Sequence, residues 1–273
     1  MSYENLKIEK NEKVAALILN RPDCGNALSL SLMREIIEAA NSFKYDTETR
    51  VVIIKGQGTN FCVGADLKDE ERWKIGESGD PLLRTRMTQI GRELINAILG
   101  INQVTIACLH GAAAGGGACI PSACDFRVAS HNAVLGYPEV KLGMNLSWGA
   151  LPLCYNLVGP AIAKRLLMGG ELEKAEDLLT WGFVDEVVDE KSLDSRVIEL
   201  ANFYADRPAM AAQMIKRSIN AIQLANSGIM HMDGDQNALT TEGEDFKKAR
   251  ESFIRKKKIR LRTYKLTKSS TWG

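Results

Sequence analysis

The stretch His110-Gly111-Ala112-Ala113-Ala114-Gly115-Gly116-Gly117, directly after the strand-like run Val104–Leu109, does most to restrict what this chain can become. Three consecutive glycines bring bare backbone up to whatever lies at the strand's end, with no side chain in the way. A helix starting there turns its unpaired N–H groups and positive dipole end the same way, which makes an anion site without a metal. Taken alone, the triplet has a plainer use in packing a helix tightly on a sheet. It has neither the GxGxxG spacing of a dinucleotide fingerprint nor the GK[S/T] ending of a phosphate loop. A second glycine-containing loop, Asn60-Phe61-Cys62-Val63-Gly64-Ala65-Asp66-Leu67, follows another short strand-like run, Val51–Ile54.

Around these loops, strand-like and helix-like pieces alternate. Val14–Leu19 is a β-branched and aliphatic run ended by the turn residues Asn20-Arg21-Pro22-Asp23. Ser29 offers an N-cap to a helix with Leu32, Ile36, Ile37 and Ala40 at helical spacing. Thr88–Leu99 reads as a helix, and Phe126–Ala129 and Ala133–Leu135 read as short strands. Helices prevail from about residue 148, at Ala161–Met168, Lys174–Thr180 and beyond Leu193, with one late strand at Phe183–Val188. The reading is an α/β chain with a core over residues 1–200 and a helical region over residues 201–273.

With 273 residues, 45% of them hydrophobic and 25% charged, the chain can bury a substantial core. With a net charge of +1, nothing in the overall balance argues for nucleic acid or a membrane surface. Six cysteines without a CxxC pair and with few histidines nearby lack metal-ligand spacing. A disulfide framework does not suit a chain of this length without a leader, and no run of about eighteen apolar residues exists to span a bilayer. The expectation is a soluble protein with reduced cysteines, cytoplasmic or in an organelle matrix.

Several landmarks, taken in order, carry a resemblance. They are Leu19-Asn20-Arg21-Pro22 with Asn26-Ala27-Leu28, the Phe61–Leu67 loop, and Gly111 with Gly115-Gly116-Gly117. Ala123-Cys124-Asp125, Pro138-Glu139-Val140 with Gly143, Leu157-Val158-Gly159 and Gly182-Phe183-Val184-Asp185 follow. Together they resemble the enoyl-CoA hydratase/isomerase (crotonase) superfamily from the first strand to the last helices. The resemblance implies a crotonase-like ββα spiral core and a C-terminal helical region that packs a homotrimer or a dimer of trimers. It also implies an acyl-CoA substrate, with coenzyme A as part of that substrate and no metal or redox cofactor. Carried onto this chain, the thioester oxygen sits between the backbone N–H groups of Val63 and Gly116. Backbone at Ala65, Asp66 and Leu67 meets the adenine end of coenzyme A, and Ala27 lines the same cleft. Such donors stabilise the enolate, and removing one costs other enzymes about 3 kcal/mol.

Hydratases resembling this chain pair two glutamates, one placed two residues after the glycine triplet and one in the Pro-Glu segment. Here the second is Glu139 and the first position is Cys119. Hydration deprotonates water on one side and reprotonates the α-carbon on the other, which suits two carboxylates. One carboxylate is enough to move a proton between two carbons, as in the enoyl-CoA double-bond isomerases. Glu139 would then take a proton from the α-carbon and return it at the γ-carbon, its pKa raised by burial against Tyr137 and Leu142. Hydration, hydrolytic carbon–carbon cleavage of a cyclic β-keto acyl-CoA, and a non-catalytic acyl-CoA binder stay open. Cys119 has two readings, a proton donor or nucleophile near a helix N-terminus and a small buried hydrophobe. Ser147 stands where dienoyl isomerases and dehalogenases of the superfamily carry an acid, and the Ser147-Trp148-Gly149-Ala150 run resembles the naphthoate synthase branch.

The basic stretch Lys247 to Lys268 reads mainly as a solvated helix face, with one or two residues touching coenzyme A phosphates. A nucleic-acid role would rest on that charge run alone, and none is expected. The charged run Lys68 to Arg72 is expected to be a solvated helix face as well.

Overall fold

The computed structural model describes residues 3–225, 228 and 232–254. The basic residues from Arg255 to Lys268 lie outside the described residues. The chain opens with the hairpin of β1 (Leu6–Asn11) and β2 (Val14–Leu19), then α1 (Leu30–Ser42) and β3 (Val51–Gly56). Two helices follow, α2 (Glu70–Glu77) and α3 (Pro81–Leu99), before β4 (Val104–Leu109) and β5 (Ala112–Ala114). Next come α4 (Gly116–Ser122), β6 (Phe126–Ser130), β7 (Val134–Gly136) and the long α5 (Ala150–Gly169). Then β8 (Leu172–Lys174), α6 (Ala175–Thr180) and β9 (Glu186–Val188) complete the strands. Four helices close the described chain: α7 (Leu193–Ala205), α8 (Ala209–Leu224), α9 (Asp233–Thr241) and α10 (Glu244–Ile254).

The strands form two sheets. The larger has the order β1-β2-β3-β4-β6-β9, parallel except for the β1–β2 hairpin, and the smaller has the order β5-β7-β8. Isolated parallel bridges, Leu28 with Ala65 and Cys62 with Ala113, continue the smaller layer toward the N-terminus. The chain therefore alternates between layers as it advances, which is the ββα spiral.

Both faces of the larger sheet are covered, so Val51–Ile54 of β3 and all of β4 but Thr105 are apolar without alternation. Val52, Ile54, Ala107 and Leu109 face α1 and α3 in one buried cluster. Val51, Ile53, Ile106 and Val128 form the other, capped by Leu193, Val197 and Ala201 of α7. β1 is an edge strand in which Leu6 and Ile8 alternate with charged Lys7 and Glu9 and only Leu6 is buried, too short an apolar pattern to stand out in the sequence. The helix read from Ala161 is the second half of α5. Gly159, at φ 72° and followed by Pro160, kinks α5 ahead of that point. The late strand is confined to Glu186–Val188, because Phe183 and Val184 turn back with their N–H groups on Leu178 O.

Candidate active site

Pairing in the smaller layer brings the two glycine loops together. Cys62 N–H donates to Ala112 O and Ala114 N–H to Cys62 O, each at 3.0 Å, while Gly115 N–H donates to Gly136 O at 2.9 Å. Gly64 follows at φ 95°, where a Cβ would lie 2.6 Å from Ala114 O and 3.7 Å from Gly116 N. Only glycine fits there, and its backbone lies beside the start of α4.

The cleft from Ala27 to Leu67 is braced from the other side. Leu28 N–H donates to Gly64 O at 2.8 Å and Asp66 N–H to Leu28 O at 3.0 Å, so Ala27 and the segment Ala65-Asp66-Leu67 share one wall. Arg21 holds both strips, its Nη1 donating to Ala27 O and to Asp66 Oδ2 at 2.9 Å. The Asp66 carboxylate is thus engaged within the protein. Asn26, fully buried at φ 57°, donates through Nδ2 to Gln57 O, Asn60 O and Phe61 O and accepts from Arg21 N–H. Asparagine is among the few residues that adopt that backbone at low cost. Neither brace was legible from sequence, because each partner lies more than thirty residues away or on the next turn.

One donor assignment is corrected. Val63 N–H donates to Gly25 O at 3.0 Å, which removes it as a partner for a thioester oxygen. In the bridge between Leu28 and Ala65, the bonds run through Gly64 O and Asp66 N, so the N–H of Ala65 points away from Leu28. Among the described residues neither Ala65 N–H nor Gly116 N–H has a protein acceptor. The open pair beside Gly64 is therefore Ala65 and Gly116.

Glu139 sits in the 3-10 turn Pro138–Leu142, closed by Gly143 at φ 70°. The first residues of α10 press on that turn, since a Cβ at Gly143 would lie 2.8 Å from Phe246 N. The turn aims the carboxyl at the glycine triplet. A Cβ on Gly115 would lie 2.8 Å from Glu139 Oε1, and Glu139 Oε2 is shielded from solvent without a hydrogen-bond partner. Burial raises the Glu139 pKa from its ordinary value to about 7, in the direction expected from the sequence.

Cys119, one turn into α4, lies within this group but carries little chemistry. It is 2% exposed and its Sγ donates to Gly115 O at 3.4 Å. Burial, then the charge of Glu139, pushes its pKa well above the ordinary thiol value. Burial and the raised pKa both favour the reading of Cys119 as a small buried hydrophobe over that of a nucleophile. The charged run after the loop also differs in part from a solvated face. Asp69 caps α2, and Arg34 pairs with Glu71, but the Arg72 guanidinium turns inward onto Met33 Sδ at 3.6 Å.

The two-layer spiral, with its paired loops at the strand ends, defines a protein of the crotonase fold. The enoyl-CoA hydratase/isomerase family profile matches residues 9–263. The crotonyl-CoA hydratase of Syntrophomonas wolfei is 31% identical over 260 residues, covering 94% of this chain and 98% of that protein. The short-chain-enoyl-CoA hydratase of Clostridium acetobutylicum is 30% identical over 261 residues, covering 95% and 98%. Among solved structures, an enoyl-CoA hydratase from Mycobacterium avium subsp. paratuberculosis superposes with a TM-score of 0.82 at 26% identity, over 93% of this chain and 97% of that one. An enoyl-CoA hydratase/isomerase from Xanthobacter autotrophicus gives 0.81 at 25% identity, over 93% and 94%. The chain belongs to the enoyl-CoA hydratase/isomerase (crotonase) family.

Proposed function

We propose that this protein binds an acyl-CoA thioester, stabilises its enolate between the N–H groups of Ala65 and Gly116, and shifts a double bond with Glu139 as acid and base. The observation that carries the reading is the Glu139 carboxyl lying against Gly115, one residue from an open donor, with a thiol at the place of a second carboxylate. The Glu139 carboxylate takes a proton from the α-carbon of a β,γ-enoyl thioester. The electron pair delocalises onto the thioester oxygen, where the two donors stabilise it. The carboxylic acid so formed returns the proton at the γ-carbon, leaving the α,β-enoyl product and the carboxylate. The cycle balances without a metal or redox cofactor. Backbone at Ala65, Asp66 and Leu67, with Ala27, holds the adenine end of coenzyme A.

A second reading, hydration, is favoured by the names of the relatives, which are hydratases. Turnover of α,β-enoyl, β,γ-enoyl and cyclic β-keto acyl-CoA esters in heavy water separates the readings. Isomerisation of the β,γ-enoyl ester without gain of a water supports the proton shuttle. Addition of water to the α,β-enoyl ester makes the protein a hydratase, and cleavage of the ring makes it a hydrolase. A silent binder would keep its affinity and show no turnover at all.

A homotrimer-based assembly fits the helical region. Met210 and Met214 on one side of α8, and Ile219 and Ile222 on another, expose 49–74% of their surface, apolar area suited to burial between copies. Light scattering on the purified protein tests it. No helix among the described residues is long and apolar enough to cross a membrane.

A further inference from the structure

We propose that Trp148 is the end wall of the acyl-binding site and restricts it to short acyl chains. The inference rests on the acyl-CoA reading above and adds the class of acyl group. The indole lies between two helices at positions where both partners are glycine. A Cβ on Gly116 would run into the edge of its six-membered ring, and a Cβ on Gly91 of α3 would run into the other side. Gly116 supplies one of the two open N–H groups, so the ring stands beside the place assigned to the thioester carbonyl. An acyl chain leading away from that carbonyl past Glu139 meets the indole early.

The wall is fixed in position. Trp148 and Gly149 are consecutive left-handed residues, at φ 67° and 73°. A bulky side chain keeps this backbone only where the surroundings impose it. Here Ala150 N–H donates to Ser147 O at 3.3 Å, and Gly149 N–H to Asp233 Oδ2 at 3.0 Å. Asp233, itself 8% exposed, pairs at 3.6 Å with Arg92, the neighbour of Gly91. The loop that carries the indole and the helix that receives it are thus tied together through one carboxylate.

Behind the ring is space that the acyl group does not reach. A cavity of about 250 Å³ is bounded by Trp148, Thr88, Gln89, Arg92, Ser147 and Asp233. Thr88, Gln89, Arg92 and Asp233 make its lining partly polar, less suited to an acyl tail than an apolar wall. Trp148 therefore stands between the catalytic cleft and this open space, and its removal joins the two.

The test is calorimetric binding of saturated acetyl-, butyryl-, hexanoyl-, octanoyl- and decanoyl-CoA to wild type, Trp148→Ala and Trp148→Phe. Saturated esters cannot be isomerised or hydrated, so affinity reports the pocket whichever reaction is catalysed. For wild type, affinity should fall at least about tenfold between butyryl and octanoyl esters, since a pocket wall discriminates single methylenes by factors of this size or more. Trp148→Ala should lessen that fall by about threefold or more, and Trp148→Phe should lessen it by less. A wild-type affinity that holds or rises through decanoyl overturns the proposal, even if Trp148→Ala does not fold. So does a Trp148→Ala profile identical to that of wild type. Failure of wild type to bind any ester of the series would instead overturn the acyl-CoA reading, and this inference with it.

Discussion

The carboxyl of Glu139 occupies the space that a side chain on Gly115 would take, with Oε1 2.8 Å from where a Cβ would stand. Two parts of the chain that are 24 residues apart in sequence are thereby fitted to each other, and the fit is sensitive to one methyl group. Gly115→Ala should displace the carboxyl and lower kcat by about a hundredfold with a small change in KM, because a catalytic group moved by about 1 Å loses that much. Since Gly115 has φ 55°, the same substitution should also cost about 1–2 kcal/mol in stability. Steady-state kinetics beside thermal unfolding check both, and unchanged kcat in a folded variant would detach Glu139 from the reaction.

The raised pKa of Glu139 gives a pH dependence with a definite sign. The base form is the carboxylate, so kcat/KM should fall about tenfold per unit below a midpoint near 7 and level off above it. Stability runs the opposite way. A carboxyl whose pKa is raised on folding resists ionisation, so its contribution weakens as pH rises from the ordinary 4.5 and is fully lost above about 7. Glu139→Gln should therefore be inactive yet more stable than wild type at pH 8, by about 1–3 kcal/mol, with the gain vanishing in acid. Urea unfolding of both proteins across that range decides it.

The two glycine loops are readable in the sequence as backbone that can approach a ligand, because glycine puts no side chain in the way, whereas the places of Glu139 and Gly116 come from the resemblance to the family. The sequence could not show which N–H of the Phe61–Leu67 loop faces the cleft. In an extended strand Val63 and Ala65 would point to one side, but Gly64 at φ 95° breaks the alternation and the two face different neighbours. α3 illustrates a different limit. Its apolar face was legible from Ile90 onward, while its first two turns present Leu82, Leu83 and Arg84 to solvent. The start signal, Asp80 capping the N–H groups of Leu82 and Leu83 with Pro81 as first residue, carries no hydrophobic period to draw attention to it. Trp148 was legible only as a letter in a run, since its role comes from two glycines on separate helices.

Cys119 is expected to be replaceable. Its thiol is buried, protonated and donating to Gly115 O within its own helix, so Cys119→Ala should leave kcat within about threefold. The lost sulfur leaves a small void, which should cost about 1 kcal/mol. A loss of activity beyond about a hundredfold in the folded variant would restore the thiol to the mechanism as an acid.

A buried ion pair ties α8 to the body of the fold. Lys216 of α8, 7% exposed, donates to Asp125 Oδ2 at 2.7 Å and to Gln103 O at 2.8 Å, and Asp125 also accepts from Thr105 N–H at 2.7 Å. The pair binds α8 to the turn between α4 and β6. Removing one member of a buried pair leaves the other charge without its partner, so Lys216→Met should cost about 3 kcal/mol. Asp125→Asn should cost a similar amount, and the double variant should cost less than the sum of the two. Arg34 and Glu71 form a shorter-looking contact at 2.6 Å, but both side chains are about half exposed, at 50% and 46%. Water and salt screen that pair, and Arg34→Ala should change stability by no more than about 1 kcal/mol. Denaturant unfolding of the four variants tests the distinction, and equal costs at the two sites would mean that α8 is held by its apolar contacts and not by Lys216.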